Sequence, residues 1–381
     1  MSTVFLSGKI DTSTARQFAD LGGEKVMVDC TDVTEISCEG LRLFLNLKDT
    51  GVEFEIVNVP HAVYHSFEVS GVAEMLPVSE KLMYVATDGL KMIGKGATAD
   101  VYAYESDKVL KAYHSNFSKE FVTLERDLTR STFAHGIHTT MAFDVVKTQT
   151  GYGAVYERIV GRELLDYMRE DKAHLEDYVR RFGEFVREAH EIRLDASAFK
   201  REKDEMLAMM TKREALDMTE EDQRKIVDYL NGFPDSDHFV HGDCHAGNVM
   251  LCNGELVFID IGHVCRGNPM IDFVSMFTQY AAMQYFGMDL QAVQSPNAKG
   301  FTPDECDLIW NTYLRTASGL TDGKALKTLE KQISILASVR ILLILTTVLH
   351  KKSILPKPVY SELLRRVVEY LDNGAEAFSL R

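Results

Sequence analysis

The chain has 381 residues, enough for two or three domains that each bury a core of their own. With 45% hydrophobic and 26% charged residues it reads as a globular protein, not a disordered or fibrous one. A formal net charge of −15 excludes nucleic acid as an expected partner, because phosphate backbones are held by Lys and Arg, and it suits a cationic substrate.

From Met1 to about Val85, short strand patterns alternate with helix patterns. Val4 to Leu6, Val26 to Val28 and Phe54 to Val57 read as apolar strands, and Thr12 to Leu21, Glu39 to Lys48 and His61 to Ser70 read as helices. The second helix gathers Leu41, Phe44, Leu45 and Leu47 on one broad face. Such alternation implies a small α/β layer over residues 1–86. A short junction near Thr87-Asp88-Gly89 follows.

Residues 88–160 turn strand-rich, with one helix around Ser118 to Phe133, and residues 161–381 are mostly helical. The helical part is broken by the turn-like Pro234 to Asp237 and the strand-like Leu256 to Ile261. The apolar run Ile333 to Leu349 contains Ser334, Ser338, Arg340, Thr346 and Thr347, so it reads as a buried helix and no membrane partner is expected. The start MSTVFLSGKIDTS lacks the basic stretch and apolar run of a secretory signal. The six cysteines (Cys30, Cys38, Cys244, Cys252, Cys265, Cys306) show no CxxC pair and no zinc-ligand spacing, so reduced thiols and a cytoplasmic location are expected. A strand-rich lobe followed by a helical lobe implies a two-lobed α+β enzyme with a cleft.

Three segments carry chemistry. Ile93 to Tyr102 holds Gly94 and Gly96 in a turn between two strand candidates, where backbone amides can approach phosphate oxygens. Val109 to Tyr113 is an apolar strand carrying Lys111, a cation suited to the α- and β-phosphates of a nucleotide. Its carboxylate partner is Glu125 or Glu120, both on the following helix. The third segment is His241-Gly242-Asp243-Cys244-His245-Ala246-Gly247-Asn248, followed by Phe258-Ile259-Asp260-Ile261-Gly262. Asp243 can orient a substrate hydroxyl or amine and accept its proton, while Asn248 and Asp260 offer the hard oxygens that Mg²⁺ prefers.

Residues from about 88 to 381 resemble the aminoglycoside phosphotransferase and choline kinase-like family of small-molecule kinases. The resemblance rests on HGDCHAGN, on FIDIG and on Gly267 to Asp272. It extends to Val155 to Gly161, similar to the hinge where adenine meets backbone groups, here at Glu157 and Ile159. It implies a protein kinase-like fold using ATP and Mg²⁺. Asp243 would be the catalytic base, Asn248 and Asp260 would hold Mg²⁺, and Lys111 with Glu125 would orient the phosphates. Asp272 would steady the catalytic loop. Only eleven residues separate Asp260 from Asp272, which leaves no room for the long segment that cradles a peptide in a protein kinase. The carboxylates of the helical region (Asp304, Glu305, Asp307, Asp322) are candidates to receive a cationic substrate.

Residues 1–86 resemble a STAS domain, the fold of anti-sigma factor antagonists, through Ser7 to Asp11, Val26 to Thr31, Ile36 to Arg42, Gly51 to Val59 and Val69 to Val72. In that family a serine at a helix start is a phosphorylation switch. The aligned residues here are Ser37-Cys38-Glu39-Gly40, which puts Cys38 at the acceptor position and favours a docking module over a phosphoswitch. The combined expectation is a small-molecule kinase with a fused regulatory or docking module that can meet a protein partner. The alternatives are a nucleotide-binding regulator that signals through residues 1–86, and a protein-directed kinase.

Overall fold

The computed structural model describes residues 2–14, 25–96, 98–210, 218–282, 297–348 and 357–373. The chain divides into two compact units, one of Met1–Gly89 with Ala112–Ser115 and Val145–Gly153, the other of the remaining residues.

In the first unit, strands β1 (Ser2–Ile10), β2 (Val26–Ile36), β3 (Phe54–Val59) and β4 (Val78–Glu80) form a parallel sheet in that order. Helix α1 (Cys38–Asp49) joins β2 to β3, and α2 (His61–Val69) joins β3 to β4. Val26, Val28 and Cys30 alternate into the core from β2, as do Phe54 and Ile56 from β3. Phe44 of α1 and Phe67 of α2 meet them with ring centroids 5.8 Å apart. Residues 12–14 form a short 3-10 turn, and the rest of the expected helix Thr12 to Leu21 lies outside the described residues. Ser37 caps α1, its hydroxyl accepting the Gly40 N–H at 3.1 Å. Cys38 follows as the first residue of the helix and is exposed.

The strand-rich part after Gly89 comprises β5 (Met92–Lys95), β6 (Ala99–Tyr104), β7 (Lys108–Tyr113), β8 (Ala142–Lys147) and β9 (Tyr152–Glu157), in sheet order β5-β6-β7-β9-β8. Helix α3 (Lys119–Ala134) lies between β7 and β8 in the chain, its first turn closed by the Ser118 hydroxyl on the Phe121 N–H.

The helical part contains α4 (Leu164–Glu170), α5 (Leu175–His190), α6 (Glu202–Met210), α7 (Glu220–Gly232), α8 (Met270–Tyr280), α9 (Pro303–Ser318), α10 (Gly323–Val348) and α11 (Lys357–Asp372). Short strands β10 (Arg162–Glu163), β11 (His238–Val240), β12 (Val249–Cys252), β13 (Glu255–Phe258) and β14 (Cys265–Gly267) run among these helices. Helix α9 packs along α5, and α10 along α8. The core of this part is aromatic, with ring centroids of Phe182 and Tyr313 5.3 Å apart between α5 and α9, and those of Phe239 and Phe258 5.7 Å apart between β11 and β13. This architecture is the α+β kinase-like one that the chain order implied, a strand-rich lobe followed by a helical lobe. Helix α10 is buried along its middle, where the Ser334 and Ser338 hydroxyls donate to carbonyls one turn back within the helix. Among the described residues no helix is long and apolar enough to cross a membrane.

Candidate active site

Lys111 stands on β7 between Leu110 and Ala112, both buried, so its stem is held by the sheet while its ammonium reaches two carboxylates. Nζ lies 2.6 Å from Glu125 Oε1 and 2.9 Å from Asp260 Oδ1. Glu125 sits on the buried face of α3, four residues before Thr129, which is also buried. Glu120, the competing candidate, is in the exposed first turn of α3 and interacts with Ser118 instead. Burial alone would pull the Lys111 ammonium down, but the charges of Glu125 and Asp260 outweigh it and hold the group above the ordinary lysine range.

The loop after β11 presents Asp243. Phe239 and Val240 anchor that strand in the core, and β11 pairs antiparallel with β14. Asp272, fully buried in the first turn of α8, accepts the N–H of His241 on Oδ2 and that of Gly242 on Oδ1, each at 2.9 Å. His190 Nε2, at the end of α5, lies 2.9 Å from the same Oδ2. Burial pushes the Asp272 carboxyl upward, yet the hydrogen bond and charge of His190 prevail and its pKa is lowered.

Gly242 has φ +82°, and a Cβ there would meet the His263 carbonyl oxygen at 2.3 Å. The loop therefore reads His-Gly-Asp, where the catalytic loop of protein kinases places an arginine in the middle. Arg340 of α10 donates to the Gly242 carbonyl at 2.6 Å and to the Ile271 carbonyl at 3.3 Å, and pairs with Glu202 of α6 at 3.4 Å.

Two histidines brace the loop. The His241 Nδ1 accepts the Asp243 N–H, so Nε2 carries the proton and donates to the Ile259 carbonyl at 3.2 Å. Burial lowers its pKa. In the same way the His245 Nδ1 accepts the Gly247 N–H, which points its Nε2 at Asp243 Oδ2, 3.5 Å away. Burial would raise the Asp243 pKa, but His245 outweighs it and the carboxyl is held well below the usual range.

Asn248 closes the loop. Its side-chain nitrogen donates to the Asp243 carbonyl at 2.9 Å and to Oδ2 at 3.3 Å, and its own carbonyl accepts the Ile259 N–H. That last bond ties the loop to the end of β13, which delivers Asp260. Asp260 adopts a left-handed backbone, φ +58° and ψ +59°, a sparsely populated state for a non-glycine residue. Burial pushes its carboxyl up, and the Lys111 charge more than reverses this. Two residues on, a Cβ at Gly262 would press on Glu125 at 3.1 Å.

The remaining candidates occupy β5 and β9. Gly94 is in β5, and the Gly96 N–H donates to the Ala99 carbonyl across the hairpin, whose residue Ala97 lies outside the described residues. Glu157 ends β9, its N–H and carboxylate both engaged by Met141, and the Arg158 N–H goes to Asp107. Ile159 follows in the connection to β10. Glu305 caps α9 and pairs with Lys172 at 3.4 Å, and Asp322 accepts the Ala325 N–H. Neither they nor Asp304 and Asp307 line the space beside Asp243, so the acidic helices of the sequence do not form its walls. That space is a cavity of about 660 Å³ reached by Asp243, Glu202, Glu205 and Arg340. No local pattern in the sequence singles out His190, Glu202 or Arg340, whereas His245 lies within the motif itself.

A strand-rich sheet with a lysine–glutamate pair, joined to a helical part that presents the HGDxxxxN loop and Asp260, is the build of the kinase-like phosphotransferases. The chain belongs to the phosphotransferase enzyme family (APH), whose model matches residues 89–301, more than half of its length. A second model, Mlab, STAS domain, matches residues 1–77. No curated protein matches the sequence. Similar solved structures include a gentamicin–APH(2")-IIa complex, at 17% identity and a TM-score of 0.47, covering 82% of this chain and 98% of that one. Another is the amicoumacin kinase hAmiN with AMP-PNP, Ca²⁺ and Ami, at 16% identity and a TM-score of 0.48, covering 80% and 92%.

Proposed function

We propose that the chain is an ATP- and Mg²⁺-dependent kinase that phosphorylates a hydroxyl or amine of a small molecule, with residues 1–86 as a regulatory or docking module. Residues 88–160 would form its N-lobe and 161–381 its C-lobe. The observation that carries this reading is the single connected network running Glu125–Lys111–Asp260 on one side and Asp243–Asn248 on the other, joined through the Asn248–Ile259 backbone bond.

Asp243 orients the acceptor and takes its proton. The acceptor oxygen or nitrogen forms a bond to the γ-phosphorus, the bond from that phosphorus to the bridging oxygen breaks, and ADP leaves with the electron pair. Because Asp243 stays ionised far into acid, it is a weak base. It acts chiefly by position, in keeping with a loose phosphoryl-transfer transition state. Lys111 meets the phosphates of ATP, held in place by Glu125. The turn that carries Gly94 and Gly96 covers the phosphates without side chains in the way, and the Glu157 and Ile159 backbone supplies the adenine contact. The half-exposed Asp260 carboxylate and the amide oxygen of Asn248 fit Mg²⁺, which takes one or two protein oxygens beside phosphates and would neutralise developing charge.

The segment from Asp260 to Asp272 supports a small-molecule acceptor. It is consumed by a short 3-10 turn (Ile261–His263) and by β14 before α8 begins at Met270. The reading is tested by incubating the purified chain with Mg²⁺-ATP and a mixed library of hydroxyl and amine compounds, with mass-spectrometric detection of products. An ATP-dependent phosphorylated product is expected. Tight ATP binding with no product from any compound, together with an isolable protein partner, would favour a nucleotide-sensing regulator.

A further inference from the structure

The cavity beside Asp243 has two kinds of wall. Helix α3 contributes Phe121, Leu124 and Leu128, spaced to share one helix face, and Phe121 and Leu124 remain 41% and 57% exposed. From α6 the cavity takes Met209, half-buried and flexible, and the edge of Met206, whose side chain is packed in the core. Apart from Asp243 at the transfer site, the carboxylates of the same cavity are already matched. Glu125 holds Lys111 at 2.6 Å, Glu202 holds Arg340 at 3.4 Å, and Glu205 holds Lys200 at 3.3 Å. A polycationic acceptor would have to displace Lys111 or Arg340 from partners that are mostly shielded from water, at the cost of leaving a cation unpaired. Only the Glu205–Lys200 pair is well exposed, with side-chain exposures of 46% and 70%, and open to exchange with one positive charge.

We propose, building on the phosphotransferase reading, that the acceptor is a hydroxyl compound with a substantial apolar body and at most one positive charge. Its hydroxyl lies at Asp243 and its body against Phe121, Leu124, Leu128, Met206 and Met209. A volume of about 660 Å³ suits such a compound, falling within the range of drug-sized ligand sites. Large apolar side chains left open to water next to the phosphate-transfer site are explained by an acceptor that covers them.

The test measures binding and transfer separately on the full chain. With Mg²⁺ and a non-hydrolysable ATP analogue, calorimetry follows a homologous series of straight-chain primary alcohols and, for comparison, a polycationic amino sugar. Affinity is expected to rise about threefold to fourfold per added methylene until the cavity is filled, and the longest alcohol should bind more than tenfold tighter than the amino sugar. Leu124→Asp is expected to weaken the longest alcohol at least tenfold, while Leu124→Met keeps the chain-length trend. Should the aspartate variant fail to fold, the trend in the unaltered chain decides. A flat series, or tighter binding of the amino sugar, overturns the proposal. Transfer from ATP, followed on the same compounds, reports on the kinase reading alone. Chain-length-dependent binding without any phosphorylated product would leave the apolar ligand standing and sink the kinase, and transfer to the amino sugar in preference to every alcohol would do the reverse.

Discussion

Lys111 is held between two carboxylates of unequal exposure, Glu125 at 9% and Asp260 at 52%. The shielded partner fixes the lysine, and the open one is placed to exchange it for other charges. Because Asp260 still pairs with Lys111, Glu125→Ala should weaken Mg²⁺-ATP binding by about tenfold and lower stability by about 1–3 kcal/mol, as read by nucleotide titration and thermal melting. Asp272 works differently, since it touches no expected substrate and serves two backbone N–H groups and His190. Asp272→Asn should cost about 2–4 kcal/mol at neutral pH by weakening charge-assisted bonds to buried groups. The pKa of Asp272 is lowered in the fold, so its stabilisation is complete above the unfolded value near 4 and fades as pH falls through the folded value. The gap between wild type and variant should accordingly narrow in acid. His241 has a lowered pKa because it is buried, so the unfolded chain binds its proton first and both proteins should lose stability as pH drops below about 6.5. Melting curves from pH 3 to 8 would show both effects, and a constant gap would contradict the role of Asp272.

At the scale of elements, each proposed catalytic side chain lies just beyond a strand anchored by buried apolar residues, β11 with Phe239 and Val240 for Asp243 and β13 with Leu256 and Phe258 for Asp260. This is why the phosphate-transfer segments could be read from the sequence. Strand, turn and functional residue are adjacent in the chain, and Lys111 with Glu125 spans only fourteen positions. The supports were not legible, because they come from far away. His190 reaches Asp272 across 82 positions and Arg340 reaches Gly242 across 98, and neither arginine nor histidine stands out on an amphipathic or apolar helix. The acidic helices lie apart from this cavity for a related reason. Glu305 and Asp322 are placed at helix starts, where capping uses them, and the carboxylates of the cavity, Glu202 and Glu205, sit in an inconspicuous charged run. Arg340→Ala frees the Gly242 carbonyl and should reduce kcat tenfold to a hundredfold while leaving the KM for ATP within about threefold. Arg340→Lys should recover part of the loss. Equal falls in kcat and ATP affinity would indicate a general collapse of the lobe instead.

Across the whole molecule, the chain joins a parallel α/β unit to a member of the phosphotransferase family, with the chemistry in the second. Alternating apolar strands and helices made the first unit legible, and the change from strand-rich to helical segments announced the two-lobed second part. The acidic composition suggested a cationic substrate, and a whole-chain charge does not by itself describe the cavity, where Glu202 and Glu205 are paired with Arg340 and Lys200. Phosphoryl transfer centred on Asp243 is the claim on which the account depends. The most direct measurement compares wild type with Asp243→Asn, in steady-state transfer from ATP to an acceptor identified by product detection and in ATP-analogue binding by titration. The account predicts a fall in kcat of about 10²- to 10⁴-fold with nucleotide affinity kept within threefold. Undiminished turnover in the variant would contradict it.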